Sequence, residues 1–240
     1  MVTTVLLVRH GRTDANASGV LAGWSPGVGL DDLGREQATN LADRLATVPL
    51  TAVVTSPLDR CQQTATALLA GRNGTPLHID ERVGEVRYGD WTGQPLKQLA
   101  KLSLWRTVQS HPSGVVFPGA DGEAMAAMQS RAVEAIRHWN ATFGPDATYL
   151  VVSHADVIKA VLADALGQHL DQFQRIVVDP ASLSVVTYGA SRPFVERIND
   201  TGGGVAALRP TKRRRRKKTD DDAVVGGGAG ATESKKGGGR

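Results

Sequence analysis

The chain has 240 residues, a formal net charge of +4 and a sequence pI near 9.4. Its single cysteine, Cys61, excludes a disulfide framework and a cysteine-rich zinc site, and the N-terminal apolar run is too short for a signal peptide or membrane span. We therefore expect a cytoplasmic protein. Residues 202–240 hold 11 Lys and Arg against 4 Asp and Glu, which leaves 17 Lys and Arg against 20 Asp and Glu in residues 1–201. Residues 1–201 are therefore slightly acidic, and their charge gives no support for nucleic-acid binding.

In residues 1–201, short continuous apolar runs alternate with segments whose apolar residues recur at helical spacing, and this alternation indicates the fold. Short apolar runs at residues 4–8, 51–55 and 149–152 predict strands that are covered on both faces, as in parallel sheets. Apolar side chains recur at helical spacing in the segments between and after them, at residues 41–48, 61–69, 125–139 and 158–166. Residues 183–188 and 194–198 predict a closing hairpin. Together they predict an α/β three-layer sandwich with a mostly parallel central sheet flanked by helices.

Two segments depart from this alternation. Residues 82–122 are rich in Gly and Pro and show one short helical piece near residues 96–102, so we interpret them as a lid or substrate wall of the domain. Residues 202–240 contain no aromatic residue, and a basic run at 212–218 precedes two Gly-rich runs. Such a composition predicts a disordered basic tail, whose removal we expect to leave activity nearly unchanged.

Cation-capable side chains follow three of the predicted strands. Arg9 and His10 come directly after the first strand, Arg60 lies just beyond the second, and His154 follows the third. Ligands of open α/β sheets bind beyond the carboxyl ends of the strands, so we expect these residues to converge on one site.

A phosphoryl group needs a pocket of this kind. Arginines can hold its anionic oxygens through paired hydrogen bonds, and a neutral imidazole can serve as nucleophile because histidine titrates near neutral pH. A poor leaving group also needs a proton, which a carboxylic acid of raised pKa can supply. Glu85, at the start of the 82–122 segment, is the candidate acid.

These residues stand in motifs that extend over most of residues 3–190. The motifs are Val8-Arg9-His10-Gly11-Arg12-Thr13 with Asn16, Leu21-Ala22-Gly23-Trp24, Leu33-Gly34-Arg35-Glu36-Gln37-Ala38, Ser56-Pro57-Leu58-Asp59-Arg60-Cys61-Gln62-Gln63-Thr64-Ala65, Glu85 with Gly89-Asp90-Trp91-Thr92-Gly93, Pro118-Gly119-Ala120-Asp121-Gly122-Glu123, and Val152-Ser153-His154. In this order they resemble the histidine phosphatase superfamily, in its phosphoglycerate-mutase-like branch (branch 1).

The resemblance implies a role for each site residue. His10 becomes phosphorylated, while Arg9, Arg60 and His154 bind the phosphoryl oxygens. Glu85 donates the proton and later activates water. Asn16 and Gly23 contribute donors to the pocket.

The sequence departs from the family pattern at two sites, Arg12 and the pair Ala155-Asp156. Arg12 stands where Glu or Gln is frequent, which adds a cation that we expect near the substrate. Ala155 and Asp156 stand where a Gly-Gly pair is usual, and an acid there could weaken binding of a second anionic group. The departures bear on the substrate and not on the chemistry.

The resemblance implies phosphatase activity on a small phosphorylated metabolite, without a metal or other cofactor. A phosphoglycerate-type mutase is an alternative, but residues 100–119 offer only Lys101, Arg106 and His111 as cations for a second phosphate. A non-catalytic phosphate-binding module is a further alternative, against which the complete catalytic set argues. The basic tail could make a weak contact with a polyanion. The sequence leaves open the organic part of the substrate and the oligomeric state.

Overall fold

One six-stranded sheet forms the centre of the protein. The computed structural model describes residues 2–203 and 223–230. The strands are β1 (Thr3–Arg9), β2 (Ala52–Thr55), β3 (Leu77–Ile79), β4 (Thr148–Ser153), β5 (Leu183–Tyr188) and β6 (Pro193–Asp200). They lie in the order β3-β2-β4-β1-β5-β6, in which the first four are parallel and β5 and β6 are antiparallel to their neighbours. The mostly parallel sheet and the closing hairpin are therefore confirmed.

Seven α-helices connect the strands in the described part of the chain. They are α1 (Asp14–Ser18), α2 (Asp32–Leu45), α3 (Asp59–Leu69), α4 (Leu96–Leu99), α5 (Ser103–Ser110), α6 (Met125–Phe143) and α7 (Ala155–Ala165). The Asp31 side chain caps α2 by accepting the N–H of Gly34 at 2.7 Å. None of the described helices is long and apolar enough to cross a membrane.

Alternate residues of the buried strands serve two separate cores. Leu6 and Val8 of β1 belong to a core that α2 and α3 cover, whereas Val5 and Leu7 belong to a larger core beneath α6 and α7. Side chains of a strand point alternately to opposite faces, so a continuous apolar run fills both cores. Two helical layers thus enclose the sheet, which confirms the three-layer sandwich.

The segment at residues 82–122 folds over the larger core. The Trp91 and Trp105 rings stack at 6.1 Å between centroids, and Phe117 packs edge-on against Trp91 at 5.3 Å. The segment contains α4 and α5 where the sequence predicts one helical piece.

The third strand in sequence order, β3, was not predicted because it has three residues and exposes Leu77 and Ile79.

The parallel strands place their carboxyl ends side by side. Immediately after β1, the His10 N–H donates to the Ser153 carbonyl at 3.0 Å. After β2, the Ser56 N–H donates to the Val152 carbonyl at 3.0 Å. The residues that follow β1, β2 and β4 therefore meet at one edge of the sheet.

The structure differs from the expected disordered tail at residues 223–230, which pack against the folded body. Val225 is 2% exposed and belongs to the larger core. The composition of residues 202–240 as a whole does not reveal a short segment that has its own partners. The basic run at 212–218 lies outside the described residues, and its proposed contact with a polyanion stays a prediction.

Candidate active site

His10, Arg60 and His154 lie together at the carboxyl edge of the sheet. Arg60, in the first turn of α3, donates from Nε to His10 Nε2 at 3.3 Å. Its Nη2 lies 3.3 Å from His154 Nδ1 and donates to the Gly23 carbonyl at 2.9 Å. The two imidazole rings are 5.2 Å apart between centroids. The structure therefore brings together the three residues that the sequence places after different strands.

The surroundings of His10 fix the tautomer of its ring. Its Nδ1 is 2.7 Å from the Gly11 carbonyl, an acceptor, so Nδ1 carries the proton and Nε2 keeps a lone pair. Burial lowers the pKa of His10 well below its usual 6.5, and the charges of Arg60 and Arg9 lower it further. A neutral imidazole with an unprotonated Nε2 is the form that can attack phosphorus, once the long 3.3 Å hydrogen bond from Arg60 Nε to this nitrogen gives way.

His154 is buried beside two side chains of the 56–61 segment. Its Nε2 is 2.8 Å from Ser56 Oγ, and the Cys61 Sγ lies 3.4 Å from the same nitrogen. Burial, followed by the Arg60 charge, lowers the pKa of His154 well below 6.5. Burial also raises the pKa of the Cys61 thiol to about 12, so Cys61 remains a protonated packing residue at neutral pH.

Glu85 lies on the opposite side of His154 from Ser56. Its Oε2 is 3.7 Å from His154 Nδ1, and its Oε1 accepts the N–H of Val86 at 3.0 Å. Burial raises the pKa of Glu85 to about 7, and the negative charge of Asp156 acts in the same direction. At neutral pH the carboxyl group can therefore both give and accept a proton.

The backbone around Glu85 is held by two side chains that sequence reasoning did not identify. Arg131 of α6 donates to the carbonyls of Gly84 and Glu85 at 2.9 and 3.0 Å and forms an ion pair with Glu123 at 2.6 Å. Trp24 donates from Nε1 to the Glu85 carbonyl at 2.7 Å. Backbone carbonyls are the same in every residue, so no sequence pattern marks Arg131 or Trp24 as their partner.

Arg9 lies beneath the site and is fully buried. Its Nη1 donates to the Val178 carbonyl at 2.9 Å, and burial lowers its pKa to about 10, so it remains a cation at neutral pH. Within the described residues, Arg9 Nε and Arg60 Nη1 are buried without a hydrogen-bond acceptor. A buried donor without a partner costs about 1–3 kcal/mol. The two arginines therefore favour an anion that accepts several hydrogen bonds.

Asn16 and Gly23 line the same cavity as His10, Arg60 and Glu85. Asn16 Oδ1 accepts from the Thr13 N–H at 3.1 Å, which directs the carboxamide NH₂ group away from the cap as a possible donor. Gly23 contributes its carbonyl to Arg60, as described above. Arg9, Arg12 and His154 are not among the residues that line this cavity. Arg12 forms an ion pair through Nε with Asp31 at 2.7 Å.

A buried polar cluster close to Glu85 involves Asp156, one of the residues that depart from the family pattern. Its Oδ2 accepts from the Tyr88 hydroxyl at 3.0 Å, and its Oδ1 pairs with Lys159 Nζ at 3.2 Å. Lys159 also donates to Gln174 at 3.1 Å. We name Glu85, Tyr88 and Asp156 the rim, and Arg9, His10, Arg60 and His154 the deep end.

Comparisons with known proteins find a matching family and several similar chains. The family model of the histidine phosphatase superfamily (branch 1) matches residues 5–201. A glucosyl-3-phosphoglycerate phosphatase of Mycolicibacterium vanbaalenii is 31% identical over 72% of this chain and 78% of its own. A probable phosphoglycerate mutase, GpmB, of Yersinia enterocolitica is 32% identical over 78% of this chain and 86% of its own. The solved structure of Bacillus stearothermophilus YhfR superposes with a TM-score of 0.75 at 28% identity, covering 82% of this chain and 97% of that one.

Proposed function

Because the chain belongs to branch 1 of the histidine phosphatase superfamily, we propose that it hydrolyses a small phosphate monoester through a phosphohistidine at His10. Its family and its phosphatase-named relatives identify it as a phosphatase. One observation supports the phosphohistidine intermediate: the neutral His10 ring has a lone pair on Nε2, which lies beside Arg60 and His154.

The first half of the reaction transfers the phosphoryl group to the enzyme. Arg9, Arg60 and His154 bind the non-bridging oxygens, where negative charge accumulates in the transition state. His10 Nε2 forms the bond to phosphorus while the bond between phosphorus and the ester oxygen breaks. The protonated carboxyl group of Glu85 gives its proton to the departing oxygen, which leaves as an alcohol.

The second half returns the enzyme to its starting state. The Glu85 carboxylate now accepts a proton from water, whose oxygen forms a bond to phosphorus as the bond to His10 Nε2 breaks. Inorganic phosphate leaves and Glu85 is protonated again. A pKa near 7 suits both steps, because neither form of the carboxyl group is strongly disfavoured at neutral pH.

The rim supports a phosphatase over a mutase. A mutase has to hold a bisphosphorylated intermediate, so it needs cations for a second phosphate. Lys101, Arg106 and His111 are exposed and do not line the cavity, and His111 pairs instead with Asp171 at 2.8 Å. The cation at the rim, Lys159, already pairs with Asp156 at 3.2 Å and donates to Gln174, so it is not available to hold a second anionic group there. Because one of the relatives is named a probable phosphoglycerate mutase, mutase activity is the alternative to be tested.

The substrate class follows from the same charges. We propose a small metabolite with a single phosphate whose organic part carries hydroxyl or amino groups at the rim. Such groups can donate to a Glu85 carboxyl oxygen, which faces the cavity. A cytoplasmic location is likewise a proposal, based on the single cysteine, which is consistent with a reducing compartment.

A phosphate-release screen over a panel of phosphorylated metabolites tests the proposal. Each reaction is run with and without 2,3-bisphosphoglycerate, and rapid acid and alkaline quenches measure enzyme-bound phosphate. We expect phosphate release that does not depend on 2,3-bisphosphoglycerate, together with an acid-labile, alkali-stable phosphoenzyme. Isomerisation of phosphoglycerate that requires 2,3-bisphosphoglycerate would instead establish the mutase.

A further inference from the structure

Residues 223–230, which we name the plug, lie in the candidate active site. Gly226, Gly227 and Gly228 line the same cavity as His10, Arg60 and Glu85. Val225 is buried beside them. Upstream, the Gln109 side chain bonds both the N–H and the carbonyl of Ala223 at 2.8 Å each. The plug is therefore held by residues of α5 and of the catalytic pocket.

We propose that the plug is an autoinhibitory segment that competes with the phosphorylated substrate for the pocket, which replaces the sequence-based expectation that removal of the tail leaves activity nearly unchanged. This inference rests on the proposed function, because the ligand it excludes is the phosphoryl group. Three features of the plug support this role: the acceptors that it presents, the space that it fills and the glycines that let it fit.

The plug presents a set of oxygens to the arginine that we expect to hold phosphate. Arg9 Nη2 donates to the Gly228 carbonyl at 2.9 Å, makes a short hydrogen bond to the Gly227 carbonyl, and lies 3.4 Å from the Gly226 carbonyl. Three successive carbonyl oxygens thus lie close to Arg9 Nη2 and occupy the two N–H groups that would otherwise be open to phosphoryl oxygens. The Gly226 N–H donates to Asp156 Oδ2 at 2.9 Å, which fixes the plug to the rim as well.

The plug leaves too little space for substrate. The cavity that remains between it and the catalytic residues has a volume of about 20 Å³. That volume is enough for about one water molecule. His10 is 2% exposed with the plug in place. A phosphoryl group can reach the nucleophile only after the plug has left.

Glycine is required at two positions of the plug. Gly226 and Gly227 have φ of 73° and 62°, a conformation that favours glycine. A Cβ on Gly227 would lie 2.2 Å from the Ala155 Cβ, and a Cβ on Gly226 would lie 2.9 Å from the Leu21 side chain. At Gly228, by contrast, a Cβ would lie 3.5 Å from its nearest neighbour, the Val224 side chain. The Gly-rich sequence therefore matches the shape of the pocket.

The plug also leaves donors for a competitor. Arg9 Nε and Arg60 Nη1 remain without an acceptor among the described residues while it is bound. Phosphate carries negative charge and several acceptor oxygens, and hydrogen bonds to an anion are stronger than those to a neutral carbonyl. A phosphorylated ligand can therefore displace the plug, and the inhibition is reversible.

Two full-length variants, Gly227→Val and Gly228→Ala, test the plug. In Gly227→Val the plug cannot occupy the pocket. In Gly228→Ala the added Cβ fits, so this variant serves as the matched control. Calorimetric titration with inorganic phosphate measures affinity independently of turnover. We expect Gly227→Val to bind phosphate at least about tenfold more tightly than wild type, as for a site that is open about a tenth of the time. We expect Gly228→Ala to bind as wild type does, and KM to fall with kcat unchanged in Gly227→Val only.

A synthetic peptide of residues 223–230 extends the test. It should inhibit the Gly227→Val protein competitively with phosphate, and a peptide carrying Gly227→Val should not. Equal phosphate affinity in wild type, Gly227→Val and Gly228→Ala would contradict the autoinhibitory role of the plug, even if all three proteins release phosphate from esters. Tighter phosphate binding by Gly227→Val without any phosphate release would support the plug and contradict the proposed function instead.

Discussion

The deep end and the rim of the active site come from different parts of the chain. Arg9, His10 and His154 follow or end strands β1 and β4, and Arg60 begins the helix after β2. Glu85 and Tyr88 belong instead to the 82–122 segment, and the plug reaches the rim from the distant C-terminal tail. Ladder hydrogen bonds fix the positions of the first group. The second group depends on tertiary contacts such as those of Arg131 and Asp156.

This difference indicates that the deep end and the rim have different roles in the reaction. In the proposed mechanism the deep end provides cations and a nucleophile, which any phosphate monoester requires. The rim is proposed to supply the proton for the leaving group and to contact the organic part of the substrate. Variants of the deep end should therefore impair every substrate equally, and variants of the rim should separate one substrate from another.

The largest effect is expected at the nucleophile. His10→Ala should reduce turnover of all esters to background, because no other described side chain presents a free imidazole nitrogen to the phosphoryl site. Rapid acid and alkaline quenching should show no phosphoenzyme. His138→Ala, which removes an exposed histidine of α6, is the control for folding. A phosphoenzyme that persists in His10→Ala would place the nucleophile elsewhere.

At the rim, Glu85→Gln should distinguish substrates by their leaving group. Loss of a general acid costs roughly 10²- to 10⁴-fold where the leaving oxygen needs a proton. We expect a loss of this size in the kcat/KM of an alkyl phosphate and a much smaller loss for p-nitrophenyl phosphate. Glu81→Gln, an exposed carboxylate nearby, is the matched control. Equal losses on both esters would remove Glu85 from the acid role.

The pH dependence sharpens the same assignment. The pKa of Glu85 is raised to about 7, so its protonated form is lost as pH rises through 7. The kcat/KM of an alkyl phosphate, which reports transfer to the enzyme, should therefore fall above pH 7, by about tenfold per unit. The pKa of His10 lies well below 6.5, so this nucleophile stays neutral throughout that range. The decline should be absent in Glu85→Gln, and a decline that persists there would belong to another group.

Arg131 tests whether the rim needs support from α6. Arg131→Met removes the hydrogen bonds to the Gly84 and Glu85 carbonyls. Small displacements of a catalytic group can cost about 10²-fold, so we expect a ten- to hundredfold loss on alkyl phosphates. Better hydration of Glu85 should also move the decline in the pH profile to lower pH. Arg137→Met, on the exposed side of the same helix, should change neither, and an unshifted profile in Arg131→Met would indicate a purely structural role.

The sequence predicts the deep end far better than the rim. Arg9, His10, Arg60 and His154 are predictable because strand ends are visible as apolar runs and parallel strands end at one edge. Glu85 could be assigned from the family resemblance, but its support by Trp24 and Arg131 joins side chains to backbone carbonyls far away in the chain. The plug is least predictable, because its contacts depend on φ angles and close approaches that a Gly-rich composition does not specify.

The smallest effect is expected at Arg12, which the family comparison suggested as a substrate-binding cation. Its guanidinium is engaged by Asp31, the residue that caps α2, and its side chain is 24% exposed. Partly exposed ion pairs contribute about 0–1 kcal/mol, so Arg12→Ala should lower the free energy of unfolding by no more than that. The Asp31 cap bond to the Gly34 N–H does not involve Arg12, so α2 should keep its start. We therefore expect KM and kcat within about twofold of wild type for both ester types, measured at low and high salt to detect any long-range attraction of the substrate. Arg44→Ala, which breaks another ion pair with partly exposed partners far from the site, provides the comparison for stability. A tenfold rise in KM in Arg12→Ala alone would show that Arg12 leaves Asp31 to contact substrate, and the rim would then include a cation.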